Sequence, residues 1–65
     1  MDGPEFRQLR KLAGLTQEEA ARVLLVSHRT ILRWEHGASR IRPLKAYAIR
    51  AKLVRRMFGQ GEGEA

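Results

Sequence analysis

The side chains with the most binding chemistry are concentrated in the segment SHRTILRWEHG, residues 27–37. If this segment is a helix, each residue is rotated by about 100° from the one before it. Four residues then lie on one side of the helix: His28, Arg29, Leu32 and Arg33. In the major groove of DNA, arginine can donate two hydrogen bonds to guanine, and an apolar side chain can contact the methyl group of thymine. We therefore predict that these four side chains read base edges, while Ile31 and Trp34 enter a core.

The charge of the chain favours a polyanionic partner. Its 65 residues carry a formal net charge of +6. Between residues 27 and 56 the single acid is Glu35, and the basic residues are Arg29, Arg33, Arg40, Arg42, Lys45, Arg50, Lys52, Arg55 and Arg56. Such an excess is typical of proteins that bind nucleic acid. Two other interpretations stay open: a basic surface kept for solubility, and a basic peptide that lies on an anionic membrane.

The residue types exclude several other kinds of site. The chain has no cysteine, so it forms neither a disulfide nor a thiolate metal site. The two histidines, His28 and His36, are more than two helical turns apart, so we expect no zinc site. Glu18 and Glu19 are adjacent and cannot face each other on a helix, and Ser27 points away from its neighbouring histidine. The sequence thus predicts no enzyme, no metal, no cofactor and no small-molecule ligand.

The length of the chain allows one domain at most. Gly59, Gly61 and Gly63 alternate with polar residues at the C-terminus, so we predict a domain over residues 1–58 and a disordered tail over residues 59–65. No apolar run approaches the roughly 18 residues of a membrane span. The N-terminus also lacks the apolar stretch of a signal peptide. We therefore expect a cytoplasmic protein of a bacterial or phage-infected cell, with no membrane partner.

The elements that position these residues are predicted to be helices, because no segment alternates polar and apolar residues with period two. Each helix begins at a proline or a hydroxyl N-cap, and two end at a glycine. The predicted bounds are Pro4 to Gly14, Thr16 to about Leu24, Ser27 to about His36, and Pro43 to about Phe58. Thr16 and Glu19 have the spacing of a capping box. These signals predict a compact all-α domain of four to five helices.

These helices together resemble the lambda-repressor-like helix-turn-helix family, also called the Cro-repressor or XRE type, over residues 5–56. The resemblance rests on the stretch LRKLAGLTQEEAARVLLVSHRTILRWEHG. It contains a GLTQ motif at the start of the second helix, Ala21 within that helix, and the pattern S-x-x-T-I-x-x-W-E-x-G around the third. The resemblance implies that the third helix lies in the major groove of double-stranded DNA.

The resemblance also implies roles for individual residues. Gln17 corresponds to a position that contacts a backbone phosphate, where free amides and the helix dipole favour an anion. Ser27 corresponds to the DNA-facing start of the recognition helix, and we expect it to contact the backbone. Arg10 and Glu35 correspond to an ion pair that joins the first helix to the third. The other expected backbone contacts are Thr30, Arg40, Arg42 and Lys45.

The turn between the second and third helices departs from the family pattern. Leu25 stands where the family commonly has glycine, the residue that adopts a left-handed conformation without strain. Either the turn is adjusted, or Leu25 accepts a left-handed conformation at a cost on the order of 1 kcal/mol.

The last helix carries two apolar stripes, although a surface helix needs only one. We predict that the first stripe closes the core; its members are Leu44, Tyr47, Ala48, Ala51, Val54 and Phe58. The second stripe includes Ile49, Leu53 and Met57. We predict that these three residues form the interface of a homodimer, since a twofold dimer is the commonest way to cover such a surface. The alternative is that Leu53 and Met57 only cap a small core.

These observations predict a sequence-specific DNA-binding transcriptional regulator, most simply an autorepressor of phage or mobile-element type. As a dimer it would bind a near-palindromic operator, because two symmetric recognition helices read two half-sites. The alternative is an antitoxin-like or adaptor protein of the same fold, whose main partner is another protein. Co-purification separates the two, because an antitoxin is isolated with its partner.

Overall fold

A computed structural model describes residues 1–58, which form four helices and no strand. The helices are α1 (Gly3–Leu12), α2 (Gln17–Leu24), α3 (His28–Glu35) and α4 (Pro43–Phe58). The predicted all-α fold is confirmed, with four helices in this part of the chain. None of the four has the length and apolar character that a bilayer span requires. The predicted tail, residues 59–65, lies outside the described residues.

Side-chain caps determine where the first three helices begin. The Asp2 carboxylate accepts a backbone amide of α1 at 2.8 Å, so this helix starts one residue before Pro4. At α2 the capping box is complete: Thr16 Oγ1 accepts the Glu19 amide at 3.1 Å, and the Glu19 carboxylate accepts the Thr16 amide at 2.8 Å. Ser27 Oγ accepts a backbone amide of α3 at 3.1 Å. Each cap satisfies amides that a helix start leaves without partners.

The core lies where all four helices meet. Phe6, Ile31 and Leu53 are fully buried and come from α1, α3 and α4. The rings of Phe6 and Trp34 pack edge to face, with centroids 5.4 Å apart and planes at 75°. This is the favoured geometry for an aromatic pair. Since α3 packs mainly on α1 and α2, these two helices hold the recognition helix in place.

The turn between α2 and α3 places a leucine in a backbone conformation that favours glycine. Leu25 has φ 60° and ψ 42°, so it adopts the left-handed conformation. The amide of Val26 donates to the Ala21 carbonyl at 3.0 Å, which closes the end of α2. The Leu25 side chain is 81% exposed and contributes little to the core. The chain therefore accepts the backbone strain in this turn, the second of the two outcomes considered from the sequence.

The assignment of the two stripes on α4 was wrong. Ile49 and Leu53 are 1% and 0% exposed, so these predicted dimer residues lie in the core, and Met57 is half-buried. The stripe expected in the core is instead outside, with Leu44, Tyr47, Val54 and Phe58 exposed. Helix α4 packs on α1 and α2 through Ile49 and Leu53, and this leaves Arg55, which lies within the outer stripe, exposed to solvent. Its charge is therefore not buried in the core, where it would lack a partner.

Candidate nucleic-acid interface

The recognition helix α3 has one buried side and one exposed side. Ile31 and Trp34 are 0% and 6% exposed and pack into the core. His28, Arg29 and Arg33 are exposed. Leu32 is half-buried at the boundary, so part of its side chain is accessible from the same side. The core thus holds α3 by its buried side. The residues predicted to read bases lie together on the opposite, exposed side.

The cations near this surface are not neutralised by acids of the domain. Residues 1–58 contain two ion pairs, one made by Arg10 and one by Arg50. Neither includes the five predicted DNA-contacting cations, which are all exposed: Arg29, Arg33, Arg40, Arg42 and Lys45. Unpaired exposed cations on one part of a small domain create a positive potential that attracts a polyanion.

A buried ion pair sets the angle between α1 and α3, as the resemblance implied. Arg10 Nε donates to Glu35 Oε2 at 2.7 Å, and the two side chains are 9% and 5% exposed. Arg10 Nη1 also donates to the Leu15 carbonyl at 2.8 Å. The guanidinium therefore has partners on α3 and on the α1–α2 turn, and the last turn of the recognition helix is tied to both.

Gln17 extends this network to the start of α3. Its Nε2 donates to Glu35 Oε1 at 3.0 Å, and its Oε1 lies 3.4 Å from His28 Nε2. Because a carboxylate only accepts, the amide nitrogen of Gln17 must face Glu35 and its oxygen must face His28. His28 Nε2–H is therefore the donor of this long hydrogen bond. A line of contacts thus connects the buried ion pair to the first predicted base-reading residue.

Sequence reasoning missed the role of Gln17 as a bridge. The sequence placed this residue at the start of α2 as a phosphate contact, and the structure places it there as the first residue of the helix. One N–H of its amide is used by Glu35, which leaves the second N–H and the backbone amides of Gln17 and Glu18 for an anion, since the Glu19 amide is capped by Thr16. Gln17 and Glu35 are 18 residues apart, so no helical periodicity relates them.

The start of α3 brings two hydroxyl groups together. Ser27 Oγ and Thr30 Oγ1 lie 3.0 Å apart, and the Thr30 amide donates to Ser27 Oγ. Ser27 is exposed and Thr30 is half-buried. Each hydroxyl thus has a hydrogen-bond partner within the helix start, and both remain at least partly accessible to solvent.

The loop after α3 is anchored by a residue that the sequence analysis did not assign to the core. Ile41 is 2% exposed, whereas Arg40 and Arg42 on either side of it are exposed. A shallow cleft beside Trp34 is lined by Arg40, Ile41, Arg42 and Lys45. The buried isoleucine therefore fixes the loop that carries Arg40 and Arg42, and Lys45 of α4 lines the same cleft beside Trp34.

The described residues contain no group that suggests a metal site. In residues 1–58 no three His, Cys, Asp or Glu side chains lie close enough together to hold a metal ion. His28 contacts Gln17, and His36 forms the exposed C-cap of α3. The chemistry that this surface offers is that of cations and hydrogen-bond donors.

A short capped helix with a cationic outer side, preceded by a second helix and a tight turn, defines a helix-turn-helix DNA-binding protein. A family model described as Helix-turn-helix matches residues 6–53. The chain therefore belongs to this family, the lambda-repressor-like or XRE-type group of DNA-binding regulators. Searches among curated proteins and among solved structures gave no match.

Proposed function

We propose that this chain is a transcriptional repressor of phage or mobile-element type that reads a near-palindromic operator as a homodimer. The observation that carries the proposal is the position of Arg29 and Arg33. Both are exposed on the outer side of α3, outside the ion pairs of residues 1–58. The bound dimer would occupy an operator that overlaps a promoter and exclude polymerase. Its own concentration in the bacterial cytoplasm would then regulate its synthesis.

The base contacts follow from the spacing along α3. Arg29 and Arg33 are four residues apart, which corresponds to about 6 Å along the helix axis. Base pairs follow one another at about 3.4 Å, so the two guanidinium groups can reach different base pairs. Each arginine favours guanine through its O6 and N7 atoms. Leu32 would contact a thymine methyl group, and His28 would contact a base at the edge of the half-site.

The backbone contacts surround this reading helix. Gln17 presents the first turn of α2, where free amides and the helix dipole favour a phosphate. Ser27 and Thr30 would contribute hydroxyl groups to the same strand. On the other side of α3, the cluster of Arg40, Arg42 and Lys45 would follow the phosphates of the opposite strand. Such contacts orient the domain without reading sequence.

A dimer would explain how so small a domain attains specificity. One α3 has eight residues and can read only a few base pairs. Two copies related by a twofold axis would present two recognition helices roughly 34 Å apart, one turn of DNA, on one face of the duplex. The operator would then be an inverted repeat.

The test is a selection of bound sequences from random DNA with the purified chain, followed by two variants. Arg33→Ala should cost roughly 1–3 kcal/mol of binding free energy and relax the preference at one base pair in each half-site. Arg42→Ala should weaken all sequences alike and reduce the slope of log affinity against log salt by about one unit per bound copy. Arg50→Ala removes the same charge on α4, beside Glu5, and serves as the control.

Each result separates two roles. If Arg33→Ala weakens all sequences equally, Arg33 contacts phosphate and not a base. If the salt slope of Arg42→Ala equals that of Arg50→Ala, the cluster after α3 does not contact the backbone. A selection that returns no enriched sequence overturns the proposal of sequence-specific repression.

A second candidate function is that of an antitoxin-like or adaptor protein. The exposed apolar side of α4 favours it, because Leu44, Tyr47 and Phe58 are 83%, 72% and 75% exposed in the single chain. Apolar patches of this kind often mark protein interfaces. Purification from the native host distinguishes the candidates: a repressor is recovered as copies of itself, and an antitoxin is recovered with a different protein.

A further inference from the structure

His28 has one ring nitrogen in use and one that is free. Its Nε2 lies 3.4 Å from Gln17 Oε1, and the other ring nitrogen, Nδ1, has no hydrogen-bond partner within residues 1–58. His28 is the first residue of α3 and is exposed. In a helix-turn-helix protein the first residues of the recognition helix face base edges. Nδ1 is therefore the polar atom of this ring that is left for a base.

The buried ion pair decides the state of this free nitrogen. Arg10 Nε donates to Glu35 Oε2 at 2.7 Å, and Glu35 Oε1 accepts from Gln17 Nε2 at 3.0 Å. A carboxylate can only accept, so the Gln17 amide cannot turn over without losing this bond. Its oxygen therefore faces His28, and Nε2 of the ring carries a hydrogen. Because a neutral imidazole has one such hydrogen, Nδ1 of neutral His28 is an acceptor.

The four bases differ in what they offer to such an acceptor in the major groove. Adenine and cytosine carry an exocyclic amino group, whereas guanine and thymine offer only acceptor atoms for hydrogen bonds. A protonated imidazole donates from both nitrogens, which reverses the requirement. Guanine then offers two acceptors, cytosine offers none, and adenine keeps one in its N7 atom. Cytosine and guanine are therefore the bases that best separate a neutral ring from a protonated one.

We propose that His28 determines specificity at one base pair of each half-site, by accepting from cytosine or adenine when neutral and donating to guanine when protonated. This inference deepens the proposed function, on which it rests, by naming the class of base that His28 reads and by making that reading depend on pH. Gln17 is a positioning residue here, because it fixes the ring nitrogen that faces the base. Imidazole groups suit such a switch, since they generally change charge between about pH 5 and 8.

The charged groups near His28 do not hold a second proton on its ring. Those beside His28 and Gln17, in the sequence or in their hydrogen-bond network, are Arg10, Glu18, Glu19, Arg29 and Glu35. Glu35 is paired with Arg10, and Glu19 is turned back to the Thr16 amide. No ion pair of residues 1–58 includes His28. The base at Nδ1 should therefore decide, because guanine favours the charged ring and cytosine opposes it.

Selection of bound DNA at two pH values tests the switch. The chain should enrich cytosine or adenine at one base pair of the half-site at about pH 8, and guanine should replace cytosine there at about pH 5. The discrimination should be roughly two- to tenfold in each direction, the effect of one net hydrogen bond. His28→Gln cannot titrate, so its preference at this base pair should be the same at both pH values. A preference of the unaltered chain that does not change with pH overturns the proposal.

His36→Gln supplies the matched control, because it removes the other histidine of the chain. His36 is exposed at the C-cap, at the opposite end of α3 from His28. This variant should keep the exchange of cytosine for guanine between the two pH values. If His36→Gln abolishes the exchange, the switch is not at His28. Circular dichroism at both pH values checks that the variants remain folded.

Gln17→Met tests the positioning step, because it releases the His28 ring and leaves Arg10 paired with Glu35. The phosphate contact proposed for Gln17 is also lost, but that loss weakens all sequences alike. At about pH 8 we expect, in addition, that the preference for cytosine over guanine at the His28 base pair falls at least twofold, while the preference read by Arg33 is unchanged. A uniform loss of affinity with the cytosine preference intact overturns the role of Gln17.

Nitrogen NMR of the chain without DNA separates failure of this inference from failure of the proposed function. At about pH 8 the ring of His28 should carry its hydrogen on Nε2, and a hydrogen on Nδ1 overturns the inference whatever DNA is bound. If an operator is selected but no base pair shows the exchange, the regulator stands and the inference fails. If no sequence is enriched at either pH value, the proposed function fails, and the specificity role of His28 fails with it.

Discussion

Helix α1 takes part in two ion pairs that have the same chemistry and opposite surroundings. Arg10 and Glu35 are 2.7 Å apart, with side chains 9% and 5% exposed. Arg50 and Glu5 are 3.0 Å apart, with side chains 50% and 49% exposed. Both join α1 to a distant helix, but only the first lies where water cannot replace the partner. Burial, and not the presence of a bridge, decides which pair governs the presentation of α3.

The buried pair is also the more connected of the two. Its guanidinium donates to the Leu15 carbonyl, and its carboxylate accepts from Gln17. No buried side-chain polar atom of residues 1–58 lacks a hydrogen-bond partner. A network in which every group is satisfied rigidifies the elements that it joins, and removal of one member strands the others.

The largest effect is expected from Arg10→Ala. It leaves the Glu35 carboxylate buried without its cation, and breaking a buried pair in this way costs about 3–5 kcal/mol. That is much of the stability that a domain of this size has, since stability amounts to roughly 0.05–0.15 kcal/mol per residue. Urea denaturation measures it. If Arg10→Ala lowers the free energy of unfolding by less than about 1 kcal/mol, the buried pair contributes no more stability than an exposed one.

The double variant Arg10→Met with Glu35→Leu separates stability from positioning. Replacing both charges with apolar groups removes the stranded charge, so we expect a loss of only about 1–2 kcal/mol, from the polar groups left without partners. The Gln17 side chain nevertheless loses the Glu35 carboxylate as its acceptor, so the side chain that contacts His28 is no longer fixed in place. Operator affinity should therefore fall even where the domain is fully folded. Unchanged affinity would show that the network stabilises the fold without orienting the interface.

An intermediate loss of stability is expected where a carboxylate is fixed by a backbone amide and forms no ion pair within residues 1–58, as at Glu19. Glu19 is fixed mainly by the backbone amide of Thr16, and this hydrogen bond lowers the pKa of Glu19 below its ordinary value. Loss of the hydroxyl cap in Thr16→Ala should cost roughly 1 kcal/mol in thermal or urea unfolding. If Thr16→Ala lowers the free energy of unfolding no more than Arg50→Ala does, the cap contributes no more stability than an exposed ion pair.

The same carboxylate predicts a pH dependence. Because its pKa is lower in the folded than in the unfolded state, its contribution to stability is present above the unfolded value, near 4.5, and is lost as pH falls through the folded value. Glu19→Gln keeps a capping side chain but cannot titrate, so it should remove this part of the acid dependence. Urea unfolding of both proteins at several acidic pH values measures the difference.

The smallest effect is expected from Arg50→Ala. Exposed pairs of this kind contribute roughly 0–1 kcal/mol, since water and salt replace the interaction. We expect a loss below about 0.5 kcal/mol that disappears as ionic strength rises. A loss that approaches that of Arg10→Ala, or one that salt does not reduce, would remove the contrast between the two pairs.

Features that depend on neighbours within one or two helical turns were predicted well. The caps at Thr16 and Ser27 and the two-sided character of α3 follow from spacings of three and four residues. The pair of Arg10 and Glu35 came from the family resemblance, since no local rule relates residues 25 positions apart. Gln17 as the bridge to His28 and Ile41 as the loop anchor were not predicted, because both depend on how separate elements meet.

The sequence by itself therefore determined that the chain is helical, where its helices begin, and that α3 carries an excess of positive charge on one side. These properties follow from local hydrogen bonds and from periodicity. The tertiary structure alone decided which stripe of α4 is buried and which faces outward. Both stripes are apolar, and only packing against α1 and α2 shows that Ile49 and Leu53 fill the core while Arg55 stays outside. That choice leaves Leu44, Tyr47 and Phe58, and not the predicted dimer residues Ile49 and Leu53, on the exposed side of α4.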